Sequence, residues 1–82
     1  MTAKLSDDPR DKLHAALQHA YPDTDDKLGA AYRAACEQWF AQLTEGERWI
    51  MVKATVIYEK GDADRAAKIA SRLPPAPVLP LP

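Results

Sequence analysis

Histidine, cysteine and clustered acidic residues are the side chains of this sequence that are best able to bind a metal or to react. His14 and His19 are its two histidines, and they are five residues apart. Side chains that share one helix face are three or four residues apart, so these imidazoles do not point the same way. Zinc sites take further thiolate or imidazole ligands, and the chain has one cysteine. We predict no metal site and expect both histidines to face solvent or to cap a helix.

The acidic segment Asp23-Thr24-Asp25-Asp26 is a second candidate, because calcium-binding loops are rich in aspartate. Such a loop needs an oxygen ligand at its fifth position and glycine at its sixth. Those two positions are Lys27 and Leu28 here. Acidic residues before an apolar periodic segment are instead typical of a capped helix start, where the helix dipole favours negative charge. The segment therefore predicts the beginning of a helix.

Cys36 is the only thiol, and a thiol can act as a nucleophile when a histidine activates it. It lies in the middle of a predicted helix beside an apolar stripe, which is the usual place of a structural cysteine. The serines, Ser6 and Ser71, do not lie in the glycine-flanked turn that activates a serine. Because a combined nucleophile, base and acid is missing, we predict a protein that is not an enzyme and needs no cofactor.

Length and charge restrict the class of protein further. The chain has 82 residues, a formal net charge of −1 and 46% hydrophobic residues, which indicates one globular domain. A chain without net positive charge is poorly suited to neutralising phosphates, so nucleic acid is an unfavoured partner. A single cysteine excludes an internal disulfide, which favours the cytoplasm. No apolar run reaches the roughly 18 residues of a membrane span, so we expect no association with a membrane.

Caps and apolar periodicity predict the first two helices. One begins at Asp8-Pro9, an N-cap followed by proline at the first helical position, and ends before Tyr21-Pro22. The next begins at Asp23-Thr24 and contains Gly29. Its apolar stripe comprises Leu28, Tyr32, Ala35, Trp39 and Leu43.

The third predicted helix begins at a capping box, Thr44-Glu45-Gly46-Glu47. Residues 49–58 are rich in β-branched side chains and could form a strand, but a strand without a partner does not fold. Apolar residues on nearly every side predict that this helix is the most buried one. Gly61 ends it, Asp62 caps a fourth helix, and Pro74-Pro75 ends that one. The predicted fold class is therefore all-α, a small bundle of four helices.

The last part of the chain differs from the bundle in composition. Residues 1–73 form the predicted helical domain, and residues 74–82 form an extended proline-rich C-terminal tail that contains five prolines. The apolar residues of this tail either fold back over the bundle or stay free to bind a partner.

We predict a small non-enzymatic interaction module, which is an accessory subunit, an adaptor or an inhibitor of a larger complex. Neighbouring residues on a helix point about 100° apart, so one of Trp39 and Phe40 can be buried while the other belongs to an exposed aromatic patch. The predicted partner-binding residues are Trp39, Phe40, Val78, Leu79 and Leu81. The partner is another protein. A thin core also favours association, so a homodimer that buries the third helix or the alanine face of the fourth is a further option.

A DNA-associated regulator is the alternative function, and it depends on a resemblance. Residues 58–69 resemble the first two helices of a Fis-type helix-turn-helix, in which a glycine turn leads into an alanine-paired second helix. That family continues with a recognition helix, whereas Pro74-Pro75-Ala76-Pro77 cannot be helical. Trp39-Phe40 and Ser71-Arg72-Leu73-Pro74 also resemble parts of the theta subunit of bacterial replicative polymerases, a small helical accessory protein. Their separation here is longer by about one helix.

Overall fold

The computed structural model describes residues 4–20 and 29–78. In these residues the chain forms α1 (Pro9–Ala20), α2 (Ala30–Ala41), α3 (Glu45–Glu59) and α4 (Ala63–Ala70). Two short strands, β1 (Leu5–Ser6) and β2 (Ala76–Pro77), form an antiparallel pair. The all-α fold with a bundle of four helices is therefore confirmed. No helix in this part of the chain has the length and apolar character that crossing a membrane requires.

Three helices begin at the caps that the sequence predicts. The Asp8 carboxylate accepts a hydrogen bond of 2.9 Å from the first turn of α1. At the start of α3, the Thr44 hydroxyl accepts from the Glu47 amide at 3.2 Å, and the Glu47 carboxylate accepts from the Thr44 amide at 2.8 Å. The Asp62 carboxylate accepts from the Arg65 amide at 3.0 Å and begins α4. Each contact satisfies backbone donors that the first turn leaves without a helical partner.

The two glycines with positive φ lie at helix boundaries. Gly61 has φ 92° and lies directly between α3 and the Asp62 cap of α4, as predicted. Gly29 has φ 89° and precedes α2, so the prediction that it lies inside the second helix is wrong. This backbone conformation is open to glycine and strained for other residues, which explains a glycine at the boundary. The predicted helix start at Asp23-Thr24 lies outside the described residues.

Small side chains make up much of the core. Helix α1 packs against each of the other three helices, and α3 packs extensively against α4. Alanines without any exposed surface lie at these contacts, where they allow the helix axes to approach closely. These alanines are Ala15, Ala16, Ala54, Ala66 and Ala70, and Ala76 of β2 is equally enclosed. The larger buried side chains are Leu13, Tyr32, Trp39, Leu43, Met51 and Leu73.

One buried cation ties the start of α1 to the end of α4. Lys12 is only 5% exposed. Its Nζ donates a hydrogen bond of 3.1 Å to the Ser71 carbonyl and lies 3.4 Å from the Asp7 carboxylate. A carbonyl at a helix C-terminus carries partial negative charge, which favours a cation there. These two contacts therefore replace hydrogen bonds to water that the ammonium group loses on burial.

The proline-rich tail packs on the bundle as far as Val78, with Pro75 exposed. Ala76 and Pro77 are buried and pair with Ser6 and Leu5. The Val78 amide extends this pairing by donating to the Lys4 carbonyl at 3.0 Å. The sequence allows the tail either to fold back over the bundle or to stay free for a partner. Residues 74–78 fold back. The N-terminal segment and the tail thus meet beside α1 and α2.

This packing predicts that residues 74–78 stabilise the fold. A chain that ends at Leu73 loses the buried Ala76 and Pro77 and a hydrogen bond from the Trp39 indole to the Pro74 carbonyl. We expect its free energy of unfolding in urea to fall by about 2 kcal/mol. A chain that ends at Val78 is the control and should keep nearly the full value. Equal stability of the two truncated chains would contradict the packing of the tail.

Candidate interaction surface

Trp39 lies in the core. Its side chain is 6% exposed, and its Nε1 donates to the carbonyl oxygen of Pro74 at 3.4 Å. Pro74 is the first residue of the proline-rich tail, so the contact joins α2 to the start of that tail. A buried indole needs such an acceptor because its N–H otherwise loses its hydrogen bond to water. Trp39 therefore holds the tail in place, and its ring is not available on the surface of a single chain.

Phe40 is half-buried, and other side chains of the same chain already contact its ring. The His19 imidazole stacks on it with the ring centroids 3.7 Å apart and 17° between the planes. The Arg48 guanidinium lies 4.9 Å from the centroid, within the range of a cation–π interaction. The sequence predicts that His19 faces solvent or caps a helix, and the structure shows that it joins α1 to α2 through this stack. Of the pair Trp39 and Phe40, only Phe40 keeps an exposed portion.

The predicted tail residues do not form a described surface. Val78 is half-buried and is held by its amide, which donates to Lys4. Leu79 and Leu81 lie outside the described residues. The structure thus brings Trp39 and the start of the tail together as a packing contact, and it leaves Phe40 at a separate place between α1 and α3.

Most of the exposed large apolar side chains in the described residues belong to α3. Trp49 is 67% exposed, Val52 is 46% exposed and Val56 is 42% exposed. Their spacing of three and four residues places the three side chains on one face of the helix. We refer to Trp49, Val52 and Val56 as the α3 stripe. The sequence predicts α3 to be the most buried helix, and the exposure of this face shows that prediction to be wrong.

The opposite face of α3 is the one that packs on the bundle. Met51, Ala54 and Thr55 are buried there. The Thr55 hydroxyl donates to the Met51 carbonyl at 2.9 Å, which satisfies this buried polar group within the helix. The α3 stripe is therefore fixed in an outward orientation by the packing of the other face.

A small polar cluster lies inside the bundle between α1 and α2. The Tyr32 hydroxyl and His14 Nδ1 are joined by a hydrogen bond of 2.7 Å. Burial raises the pKa of the Tyr32 hydroxyl above its ordinary value of 10.0, and the neighbouring Cys36 raises it further. Burial also raises the pKa of the Cys36 thiol above 9.0, and a hydrogen bond with Tyr32 opposes part of that rise. A protonated, buried thiol is a poor nucleophile.

The remaining surface features are shallow or carry mixed charge. The larger depression, about 300 Å³, lies between the start of α1 and α4 and is lined by Asp8, Arg10, Asp64 and Lys68 among others. A smaller one of about 90 Å³ lies between α1 and α2. Among residues 4–20 and 29–78, no three histidine, cysteine or acidic side chains lie close enough to hold a metal ion. The α3 stripe is thus the feature with the clearest capacity to bind.

The α3 stripe could have been recognised from residue spacing in the sequence, although the high apolar content of the whole helix obscures it. Trp49, Val52 and Val56 repeat at helical spacing, and Ala54 and Thr55 follow Met51 by three and four residues on the opposite side. Two separate stripes on one helix indicate two separate contacts. In this bundle α3 packs on α1 and α4 through one of the stripes, and the other stripe remains outside.

Comparisons with known proteins find no protein-family model, no curated protein and no solved structure that matches the chain. The two resemblances in the sequence therefore depend on their short motifs alone.

The polar cluster predicts loss of stability at alkaline pH. The unfolded chain releases the protons of Cys36 and Tyr32 near pH 9.0 and pH 10.0, because those are their ordinary pKa values, whereas the folded chain holds them to higher pH. The contribution of these two groups to the free energy of unfolding should therefore be fully present below about pH 9 and should be lost as the pH rises further. Tyr32→Phe should make this fall shallower above pH 10, as measured by urea unfolding at several pH values. Tyr58→Phe, at an exposed tyrosine of α3, is the control. An unchanged slope in Tyr32→Phe would contradict the assignment.

Proposed function

We propose that this protein is a non-enzymatic interaction module that binds another polypeptide through the α3 stripe, as an accessory subunit, an adaptor or an inhibitor of a larger complex. The observation that carries the proposal is a tryptophan with 67% of its surface exposed beside two exposed valines on one helix face. Exposed apolar patches cost solubility and mark binding surfaces. Tryptophan is also among the residue types most enriched at the positions that dominate binding energy.

The placement of the reactive side chains favours binding over catalysis. Cys36 is buried and its pKa is raised, which keeps the thiol protonated. His14 is hydrogen-bonded to Tyr32, and His19 stacks on Phe40. His14 and His19 hold elements of the bundle together, and the depression of about 90 Å³ that His19 and Cys36 both line presents a protonated thiol, which is a poor nucleophile. A free, buried cysteine also agrees with a reducing compartment, and we propose the cytoplasm as the location.

The alternative, a DNA-associated regulator, has less support. The turn at Gly61 joins α3 to α4, as the resemblance to a helix-turn-helix implies. In that family a recognition helix follows and enters the major groove. Here the described chain after α4 passes through Pro74 and pairs as β2 with the N-terminal segment. Because this segment is extended and packed, it does not offer a helix to a groove.

Site-specific photo-crosslinking in the native host tests the interaction proposal. A photoreactive phenylalanine analogue at position 49 should form covalent adducts with one defined polypeptide, identified by mass spectrometry. The matched control places the same analogue at Leu5, which is 59% exposed and lies far from α3 in the chain. Adducts at position 49 well above those at position 5 support the proposal. Equal or absent adducts at position 49 would contradict it.

A further inference from the structure

Two residues of opposite charge lie at the ends of the α3 stripe. Glu45 precedes Trp49 by four residues, and Lys60 follows Val56 by four residues. A step of four residues on a helix keeps the same face, so these charges lie in line with the stripe. Both side chains are exposed. The face therefore presents, along the helix axis, an acid, an apolar centre edged by the exposed Lys53, and a base with the exposed Glu59 beside it.

Such a face is complementary to itself when two copies meet in opposite directions. In an antiparallel pair related by a twofold axis near residues 52 and 53, Trp49 of each copy lies opposite Val56 of the other. The same axis places Glu45 of each copy opposite Lys60 of the other. A parallel pair would instead bring Glu45 against Glu45 and Lys60 against Lys60, which is unfavourable. Closed twofold pairs are also the commonest form of self-association.

We propose that the partner of the α3 stripe is a second copy of this chain, docked with α3 antiparallel to α3. This inference rests on the proposed function and names its partner. At the axis, the alkyl stem of Lys53 covers Val52 of the second copy while its ammonium group remains in water. The dimer thus removes all three residues of the stripe from solvent and leaves the charged groups at its rim.

The size of the face sets the strength of this dimer. Helix α3 has 15 residues, which corresponds to a length of about 22 Å. A standard stable interface buries about 800 Å² on each partner, and one helix pair of this length supplies less than that. The dimer is therefore weak and reversible, and its population depends on protein concentration.

Charge reversal at the two ends of the stripe tests this arrangement by sedimentation equilibrium. Glu45→Lys and Lys60→Glu should each raise the dissociation constant of the dimer roughly tenfold or more, because each places two like-charge pairs at the rim. An equal mixture of the two variants should regain the association, since opposite charges then face each other at both ends of the mixed pair. The double variant, Glu45→Lys with Lys60→Glu, should regain it alone.

Two controls separate this effect from loss of folding. Both reversals oppose the dipole of α3, so circular dichroism must show that each variant keeps its helix content. Glu37→Lys, an equal charge reversal at an exposed position of α2, should leave the dissociation constant unchanged. Trp49→Ala should abolish association in a chain that remains folded, because it removes the largest apolar contact.

The outcomes distinguish this inference from the proposed function. A wild-type chain that stays monomeric at all accessible concentrations overturns the homodimer. The antiparallel α3 arrangement is overturned if the charge reversals leave the dissociation constant of the dimer unchanged. It is also overturned if the mixture of the two variants does not associate. If the chain is monomeric and position 49 crosslinks to a different polypeptide, the interaction module stands and the second copy is excluded. If the wild-type associates, the mixture regains association and position 49 crosslinks to a second copy of this chain, the antiparallel homodimer and the binding role of the α3 stripe are supported, and the role within a larger complex is not.

Discussion

Helix α3 carries apolar side chains on two opposite faces, and the rest of the described chain covers only one of them. Met51 and Ala54 face the bundle, while the α3 stripe faces outward. A domain of this size buries a smaller fraction of its surface than a larger one does, so it cannot enclose a helix on all sides. The position of the other helices, the orientation of the exposed tryptophan and the proposed binding role all follow from this choice of face.

The choice of face follows from the size of the side chains. The buried contacts between α1, α3 and α4 are made largely by alanines such as Ala16, Ala54 and Ala66. Helices that meet through alanine approach closely, and that leaves no room for a tryptophan between them. Trp39 is accommodated because α2 packs on α1 and on the tail, where the Pro74 carbonyl accepts its indole N–H. The two tryptophans thus differ in exposure because their surroundings differ in size and polarity.

Local features of the fold could be predicted from the sequence, because the contacts that define them lie within a few residues. The caps at Asp8, Thr44 and Asp62 and the turn at Gly61 belong to this group. The prediction for Gly29 is wrong because the sequence pattern is the same whether a glycine beside an apolar stripe lies inside a helix or just before its first residue. The outward face of α3 could not be predicted, since it depends on which residues of α1 and α4 lie opposite. For the same reason Trp49, the centre of the proposed interaction surface, is not among the predicted partner-binding residues Trp39, Phe40, Val78, Leu79 and Leu81, and the role of those five stays a prediction.

The central claim is that Trp49 is exposed and Trp39 is enclosed in the same folded chain, and fluorescence quenching tests it most directly. Trp39→Phe leaves Trp49 as the only tryptophan, and Trp49→Phe leaves only Trp39. In dilute solution, acrylamide should quench Trp49 several times more strongly than Trp39, and Trp49 should emit at the longer wavelength. Quenching of Trp49 that is as weak as that of Trp39 would show that α3 buries the face assigned to solvent, and it would contradict the account.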